Sequence, residues 1–301
     1  MNPSSMLSLQ HMTFCRPGRL GELDAIHVDH PAFTATVLLQ GAQLVFFAPR
    51  GQSNWLWVSG EERYLRGKSV RGGVPVCWPW FGAVERNPEA VRRQIRTDLA
   101  HGFVRTGNWT LTGIEERVDA VSMTLSLETD SAAKRLWLGR ARADLHFRFT
   151  GRDVSLTLVS QNQGAEPLSL TAALHSYFPT DDIGSVTLHG FEDAEYVDTL
   201  AGWRRCRQTG AVRFSGETDR IYFADRTLRL RTPGRTYILE PSGSGSAIVW
   251  NPWVEKARRL SHFGDAEWQR MFCVETANAL DDSVTLAPGQ SHSLGCRLSL
   301  S

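Results

Sequence analysis

The sequence predicts an all-β protein built as a large antiparallel β-sandwich. Three observations lead to this prediction: apolar and polar residues alternate in many short segments, turns containing Gly or Pro separate those segments, and helical patterns are scarce. Alternation with a period of two places every second side chain on the same face of a strand. Many short strands with few helices are typical of sandwiches and barrels.

The alternating segments run from the middle of the chain to its end. The clearest one places Val121, Met123, Leu125 and Leu127 on one face of a strand. Further strands are predicted at 143–149, 154–159, 185–188, 227–231, 236–239, 283–286 and 292–298. The connection at 150–153 contains Gly151 and predicts a hairpin, and Pro-Gly pairs at 233–234 and 288–289 predict turns.

Helix and linker signals are weak. Only 265–271 has a pattern that favours a turn or two of helix. No low-complexity linker or internal repeat divides the chain, so we predict a single domain over residues 1–301.

Charge and cysteine usage exclude several classes of protein. The chain has 33 Lys and Arg against 32 Asp and Glu, whereas a nucleic-acid-binding protein usually has a basic excess or stripe. Its five cysteines are scattered and form no C-x-x-C pair, as in a reduced cytoplasmic protein. No signal peptide and no apolar run of about 18 residues is present, so we predict no membrane segment and a cytoplasmic location.

Sequence motifs for metals and nucleotides are also missing. The nine histidines show no H-x-x-x-H or H-E-x-x-H spacing, and no phosphate-binding glycine loop precedes a lysine. We therefore predict no metal and no organic cofactor.

Several segments depart from the strand pattern because they crowd glycine, proline, aromatic and charged residues together. They are 70–82, 100–105, 174–178, 216–222 and 272–278. Their ordered motifs are Arg-Gly-Gly-x-Pro, His-Gly-Phe-x-Arg, His-Ser-Tyr-Phe, Glu-Thr-Asp-x-Ile-Tyr and Val-Glu. Together these resemble the hexose-6-phosphate mutarotases, a branch of the aldose 1-epimerase and galactose mutarotase-like superfamily. The resemblance runs from about Gly41 to the final strand.

The resemblance implies an isomerase that interconverts the α and β anomers of a hexose 6-phosphate. Such a reaction moves one proton from the C1 hydroxyl and delivers one to the ring oxygen, so one general base and one general acid suffice. The resemblance places His175 as the acid and Glu275 as the base. Without it, His175 is a structural histidine on a strand, and Glu275 is the partner of an arginine. Apolar Phe272 and Val274 beside Glu275 indicate a partly buried carboxyl with a raised pKa.

The resemblance also assigns four substrate-binding residues. Arg71 and Arg105 would bind the 6-phosphate, with Gly72 and Gly73 adding backbone donors. The alternative for the two arginines is surface ion pairs.

Two further residues would contact the sugar. His101 is a second active-site histidine, or else it fixes the turn at Gly102. Asp219 accepts from sugar hydroxyls, or else it pairs with Arg220. Ala100 stands where some relatives have glutamine, so that hydrogen bond is missing or comes from another group.

The aromatic clusters have two interpretations, since rings stack on sugars and also fill sandwich cores. One or two of Trp78, Trp80, Phe81, Tyr177 and Phe178 are expected to line the pocket. Trp55, Trp57 and Trp250 are expected to serve packing only.

Competing functions remain open. A glycoside hydrolase could use Asp219 and Glu275 as its two carboxylates, but His175 would then have no role. A non-catalytic sugar-phosphate sensor and a mutarotase of unphosphorylated aldoses would use the same pocket. The expected partner is a small sugar phosphate, and the expected state is a monomer.

Overall fold

The chain folds into β-strands, as its sequence predicts. A computed structural model describes residues 9–129 and 132–301. In these residues the strands are β1 (Cys15–Leu20), β2 (Leu23–His30), β3 (Phe33–Leu38), β4 (Leu44–Pro49), β5 (Val76–Cys77), β6 (Thr110–Glu116), β7 (Ala120–Glu128), β8 (Ala141–Thr150), β9 (Asp153–Asn162), β10 (Leu168–Leu170), β11 (Ala172–Leu174), β12 (Tyr177–Pro179), β13 (Thr187–His189), β14 (Glu195–Asp198), β15 (Arg204–Arg207), β16 (Thr218–Phe223), β17 (Leu228–Arg231), β18 (Thr236–Ser242), β19 (Ser246–Asn251), β20 (Met271–Asn278), β21 (Val284–Leu286) and β22 (Ser291–Leu300).

Two large antiparallel sheets dominate the described part of the chain. The back sheet has the order β13-β17-β18-β22-β9-β8-β7-β6. The front sheet has the order β15-β14-β16-β19-β20-β11-β5, and β12 also pairs with β20. A four-stranded sheet, β1 to β4, and the pair β10-β21 complete the architecture.

The predicted strands of the back sheet are confirmed, and the predicted hairpin joins β8 to β9 in continuous register. The segment 185–188 is only partly a strand. A 3₁₀ turn over Ile183–Ser185 comes first, and pairing with β17 begins at Thr187.

Helical structure is short. The α-helices of the described residues are α1 (Glu89–Arg92) and α2 (Trp253–Ala257), and 3₁₀ turns occupy Val84–Arg86, Val104–Thr106, Ala133–Arg135, Ile183–Ser185, Glu267–Arg270 and Leu280–Asp282. The helical signal at 265–271 is therefore a 3₁₀ turn, and both α-helices were missed because four or five residues are too few to show a 3.6-residue period. None of the helices described is long and apolar enough to cross a membrane.

The core lies between the two large sheets. Phe272 and Val274 of the front sheet share one buried cluster with Leu145 and Leu158 of the back sheet. Phe178 stacks on Phe272 with ring centroids 5.5 Å apart. This arrangement confirms the predicted sandwich.

The four-stranded sheet packs onto the same core. Phe47 of β4 lies 5.9 Å from Phe149 of β8 and 5.0 Å from Trp55, measured between ring centroids. Trp55 and Trp57 are 1% and 8% exposed, so both serve packing as expected.

The front sheet is buried on both faces. Its outer face carries a second apolar cluster that includes Ala173, Tyr177, Ile221, Ile248 and Cys273. Loops from several parts of the chain cover this face, and they leave a pocket above it.

Candidate active site

A pocket of about 470 Å³ lies on the outer face of the front sheet. All six residues predicted for the site line this pocket: Arg71, His101, Arg105, His175, Asp219 and Glu275. The structure therefore brings together side chains that are up to about two hundred positions apart in sequence.

Strand alternation aims Glu275 into the pocket. In β20, Phe272 and Val274 point into the sandwich core, while Cys273 belongs to the outer cluster. Glu275 shares the face of Cys273 because its position differs by two. Its burial, at 1% exposed, thus comes from the covered outer face, and not from the two apolar neighbours on which the sequence argument relied.

His175 occupies the break between β11 and β12. Ala173 and Tyr177 belong to the outer cluster, and His175 lies between them on the same face. The His175 backbone N–H donates to the Pro75 carbonyl at 2.9 Å, which fixes the break against the segment that carries Arg71. The imidazole stacks on Tyr177 with centroids 4.7 Å apart and an interplanar angle of 9°.

The His175 and Glu275 side chains are in contact. His175 Nε2 lies 3.3 Å from Glu275 Oε1, and both side chains are nearly excluded from solvent. Burial lowers the pKa of His175 well below its ordinary value, and the positive charges of Arg105 and Arg71 act in the same direction. Burial raises the pKa of Glu275 well above its ordinary value, and the charge of Asp219 adds to this.

Both members of this pair keep a free polar atom. His175 Nδ1 and Glu275 Oε2 are buried and have no hydrogen-bond partner. Buried polar atoms are rarely left unpaired, and of the five such side-chain atoms in the described residues only these two belong to residues that line the pocket.

His101 combines a structural and a pocket role. Its Nδ1 accepts from the Gly82 backbone N–H at 3.3 Å and lies 3.5 Å from Cys77 Sγ. Burial lowers its pKa to about 3, with Arg105 and Arg71 as further causes. The ring is therefore neutral, and because Nδ1 accepts, Nε2 carries the proton and can donate to a ligand.

The two arginines place their charges at the pocket. Neither Arg71 nor Arg105 forms an ion pair with a described carboxylate, so the surface-pair alternative is wrong. Burial raises the pKa of the Tyr177 hydroxyl, and the positive charge of Arg71 opposes this rise. Two planar cations without carboxylate partners suit a phosphate.

The expectation for Gly73 is wrong. Its N–H donates to the Trp57 carbonyl at 2.7 Å, so it is not free for a ligand. Its φ is +64°, and a Cβ there would lie 2.2 Å from the Leu44 carbonyl oxygen. The glycine is needed because backbone segments pass closely at this point.

Asp219 has a partner that the sequence did not reveal. Its Oδ2 lies 3.6 Å from Lys256 Nζ, which also lies 3.3 Å from Glu217 Oε1. Arg220 pairs with Asp198 instead, so the proposed local pair is wrong. Burial raises the pKa of Asp219, and Lys256 opposes this rise.

The aromatic residues divide between core and pocket. Phe81 and Tyr177 line the pocket, whereas Trp78, Trp80 and Phe178 are fully buried in the core. Trp250 was expected to serve packing only, and this is incomplete because it also lines the pocket.

Sequence reasoning missed several other lining residues, among them Lys68, Lys256 and His262. Lys256 lies on α2 and His262 on the loop after it, in a stretch without a strand pattern. A signal was present, because charged residues follow the tryptophan- and proline-containing run Trp250-Asn251-Pro252-Trp253. Among residues 9–129 and 132–301, no group of three His, Cys, Asp or Glu side chains is arranged to hold a metal ion.

Comparisons with known proteins show the family of this chain. The aldose 1-epimerase family model matches residues 24–299. An Escherichia coli protein named "Putative glucose-6-phosphate 1-epimerase" is 32% identical over 87% of this chain and 85% of its own length. A Cenchrus ciliaris protein of the same name is 30% identical over 85% of this chain and 78% of its own length.

A solved structure is similar over almost its full length. The Salmonella typhimurium protein described as a "putative mutarotase" superposes with a TM-score of 0.87 at 25% identity, over 99% of this chain and 98% of that one. The family model covers well over half of the chain, and the fold agrees with it. This chain belongs to the aldose 1-epimerase family, whose reaction is the interconversion of aldose anomers.

Proposed function

We propose that this protein interconverts the α and β anomers of a hexose 6-phosphate, with glucose 6-phosphate as the first candidate. The observation that carries the proposal is the composition of the pocket. It holds a histidine–carboxyl pair, Nε2 to Oε1 3.3 Å, together with two arginines that have no described carboxylate partner.

The pair can perform the two proton transfers. Glu275 takes the proton of the C1 hydroxyl, and His175 gives a proton to the ring oxygen as the C1–O5 bond breaks. The product is the open-chain aldehyde. Rotation about C1–C2 and the reverse transfers close the ring on the opposite face of C1.

The proton count of the pair fits this cycle. Ring opening uses the pair as imidazolium and carboxylate and leaves it as neutral imidazole and carboxylic acid, the form that burial favours. Both forms hold the same number of protons and no net charge. A buried site favours such a pair because no step changes the net charge that the protein must stabilise.

The arginines support a phosphorylated substrate. An exposed surface solvates an unpaired arginine, but Arg71 and Arg105 are half-buried and line one pocket. A phosphate dianion would give each guanidinium charge-assisted hydrogen bonds. The names of the E. coli and Cenchrus relatives point to the same substrate.

The remaining lining residues suit a sugar ring. His101 Nε2 can donate to a hydroxyl and Asp219 can accept from one. Trp250 lines the pocket and offers ring surface to an apolar face of the sugar.

We further propose that the protein acts in the cytoplasm. All five cysteines, Cys15, Cys77, Cys206, Cys273 and Cys296, are free thiols. This usage is typical of a reducing compartment.

Anomer exchange measured by NMR at equilibrium tests the proposal. Purified protein is added to glucose 6-phosphate and, separately, to glucose, and the α–β exchange rates are compared with the uncatalysed rates. Acceleration mainly with glucose 6-phosphate supports the proposal. Equal acceleration of both sugars would remove the phosphate specificity, and binding without acceleration would indicate a sensor.

A further inference from the structure

Glu62 is a buried carboxylate that joins two residues of the pocket wall. Its side chain is 1% exposed. Oε2 accepts from the backbone N–H of Arg71 at 2.7 Å, and Oε1 accepts from those of Arg63 and Tyr64 at 2.9 and 2.8 Å. Oε1 also lies 3.5 Å from Nδ1 of His262.

His262 lies on the loop that follows α2, and its side chain is 26% exposed. A second carboxylate ties this loop to the segment that contains Glu62. Glu267 accepts from the Gly264 N–H at 2.8 Å and from the Gly60 N–H at 2.6 Å. The loop of His262 and the segment of Arg71 are thus held together at two points.

The His262 ring is placed to bind an anion. Nδ1 faces Glu62 and the ring lines the pocket, which leaves the Nε2 edge for a ligand. An imidazole N–H that donates to a phosphate dianion forms a charge-assisted hydrogen bond. The other charges of the pocket are the cations Arg71, Arg105, Lys68 and Lys256, and the acidic residues Asp219 and Glu275.

We propose that His262 is a further phosphate-binding residue and that Glu62 positions His262 and Arg71 together around the phosphate. This inference rests on the proposed function only in that it needs a sugar phosphate in the pocket. It does not need the protein to be a catalyst.

Replacing His262 by asparagine or by glutamine tests the roles of its two ring nitrogens separately. An asparagine amide can replace Nδ1 towards Glu62 but cannot reach the place of Nε2, whereas a glutamine amide can reach it. We expect His262→Asn to raise the Kd for glucose 6-phosphate about tenfold, because one charge-assisted hydrogen bond is lost. His262→Gln should recover most of that affinity.

Glu62→Gln tests the positioning role. A glutamine has one carbonyl oxygen, so it cannot accept from both the Arg71 amide and the amides of Arg63 and Tyr64. We expect a weaker affinity for glucose 6-phosphate and an unchanged affinity for glucose. A general loss of folding would instead weaken the affinity for both sugars alike.

The measurement is calorimetric titration of the full chain with glucose 6-phosphate and with glucose, beside the NMR exchange rates. His189→Asn is the matched control, because His189 forms a similar pair with Glu192, 3.1 Å apart, and does not line the pocket. It should change neither Kd.

Distinct outcomes overturn the two claims. Selective binding of glucose 6-phosphate without faster anomer exchange would contradict the proposed catalysis. The role of His262 would still be decided by the Kd of its variants for glucose 6-phosphate. An unchanged Kd in His262→Asn, or equal losses for Asn and Gln or for both sugars, would overturn the inference. So would wild-type protein that binds glucose 6-phosphate no better than glucose.

Discussion

Glu275 and His175 are buried side chains, and each must carry charge during the proposed reaction. Replacing Glu275 by Gln keeps the size of the side chain and removes the base. We expect kcat for anomer exchange to fall by about 10² to 10⁴, the usual contribution of a general base. NMR exchange rates check this, with Glu240→Gln in the back sheet as control. A fall of less than about tenfold would show that Glu275 is not the base.

The pH dependence of kcat follows from the same burial. The active pair holds one transferable proton. Adding a second proton at low pH charges His175, which burial, Arg105 and Arg71 oppose. Removing the proton at high pH leaves a charged Glu275, which burial and Asp219 oppose.

The acidic limb of kcat should therefore lie below the ordinary pKa of His, about 6.5, and the alkaline limb above the ordinary pKa of Glu, about 4.3. Rates measured from pH 3.5 to 9 with saturating glucose 6-phosphate check this. An acidic limb above about 6.5, or an alkaline limb below about 4.3, would contradict the buried pair.

Arg71 and Arg105 are expected to set the preference for a phosphorylated sugar over an unphosphorylated one. Alanine at either position should lower kcat/KM for glucose 6-phosphate by about 10- to 100-fold, since one hydrogen bond to a charged group contributes about 1.5–3 kcal/mol. The rate with glucose should change little. Arg229→Ala, an exposed arginine of β17, is the control. Equal losses on both sugars would show that neither arginine holds the phosphate.

At the scale of elements, one wall of the pocket depends on the close approach of two backbone segments, at Gly102 and at Trp78. Gly102 has a φ of +71°, and a Cβ there would lie 1.8 Å from the Trp78 carbonyl oxygen. The two residues form a parallel bridge beside His101. Gly102 is therefore the residue that lets the histidine segment dock against the segment 75–82.

Gly102→Ala should lower stability by more than the about 1–2 kcal/mol that a left-handed backbone costs a residue with a side chain. Gly210→Ala is the matched control, because Gly210 has a φ of +64° and open space around its Cβ position. Thermal unfolding compares the two. For a chain of 301 residues each kcal/mol lowers Tm by about 1–2 °C. Equal shifts in the two variants would contradict the predicted clash.

The alternation of side chains also explains which element-level predictions failed. The sequence shows Glu275 beside Phe272 and Val274, but only pairing of β20 with β19 and β11 tells which face is covered. Trp250 looks like a core residue in sequence. Because it shares the outer face of the front sheet with Ile248, it lines the pocket.

At the scale of the molecule, one buried cluster contains side chains from the four-stranded sheet and from both large sheets. Elements that share a core lose their contacts together, so unfolding should be cooperative. We expect tryptophan fluorescence, circular dichroism and activity to give one coincident transition in urea. Two separate transitions would contradict the single domain predicted for residues 1–301.

The oligomeric state is also a property of the whole molecule, and we predict a monomer. Among the described residues, the exposed large apolar side chains are Leu99, Val118, Leu138 and Leu200. Scattered exposed residues of this kind are normal for a monomer surface. Sedimentation should give a mass near 33.6 kDa, and a concentration-dependent dimer would contradict the prediction.

The sequence by itself determined the fold class, most strands of the back sheet and the six residues that line the pocket. Alternation is local and survives in a single chain, and the resemblance of the ordered motifs supplied the site residues. Only the tertiary structure decided that His175 contacts Glu275, that Lys256 pairs with Asp219, and that Glu62 reaches both Arg71 and His262. These contacts join segments distant along the chain, and the sheet pairing and loop packing that bring them together leave no periodic signal in the sequence.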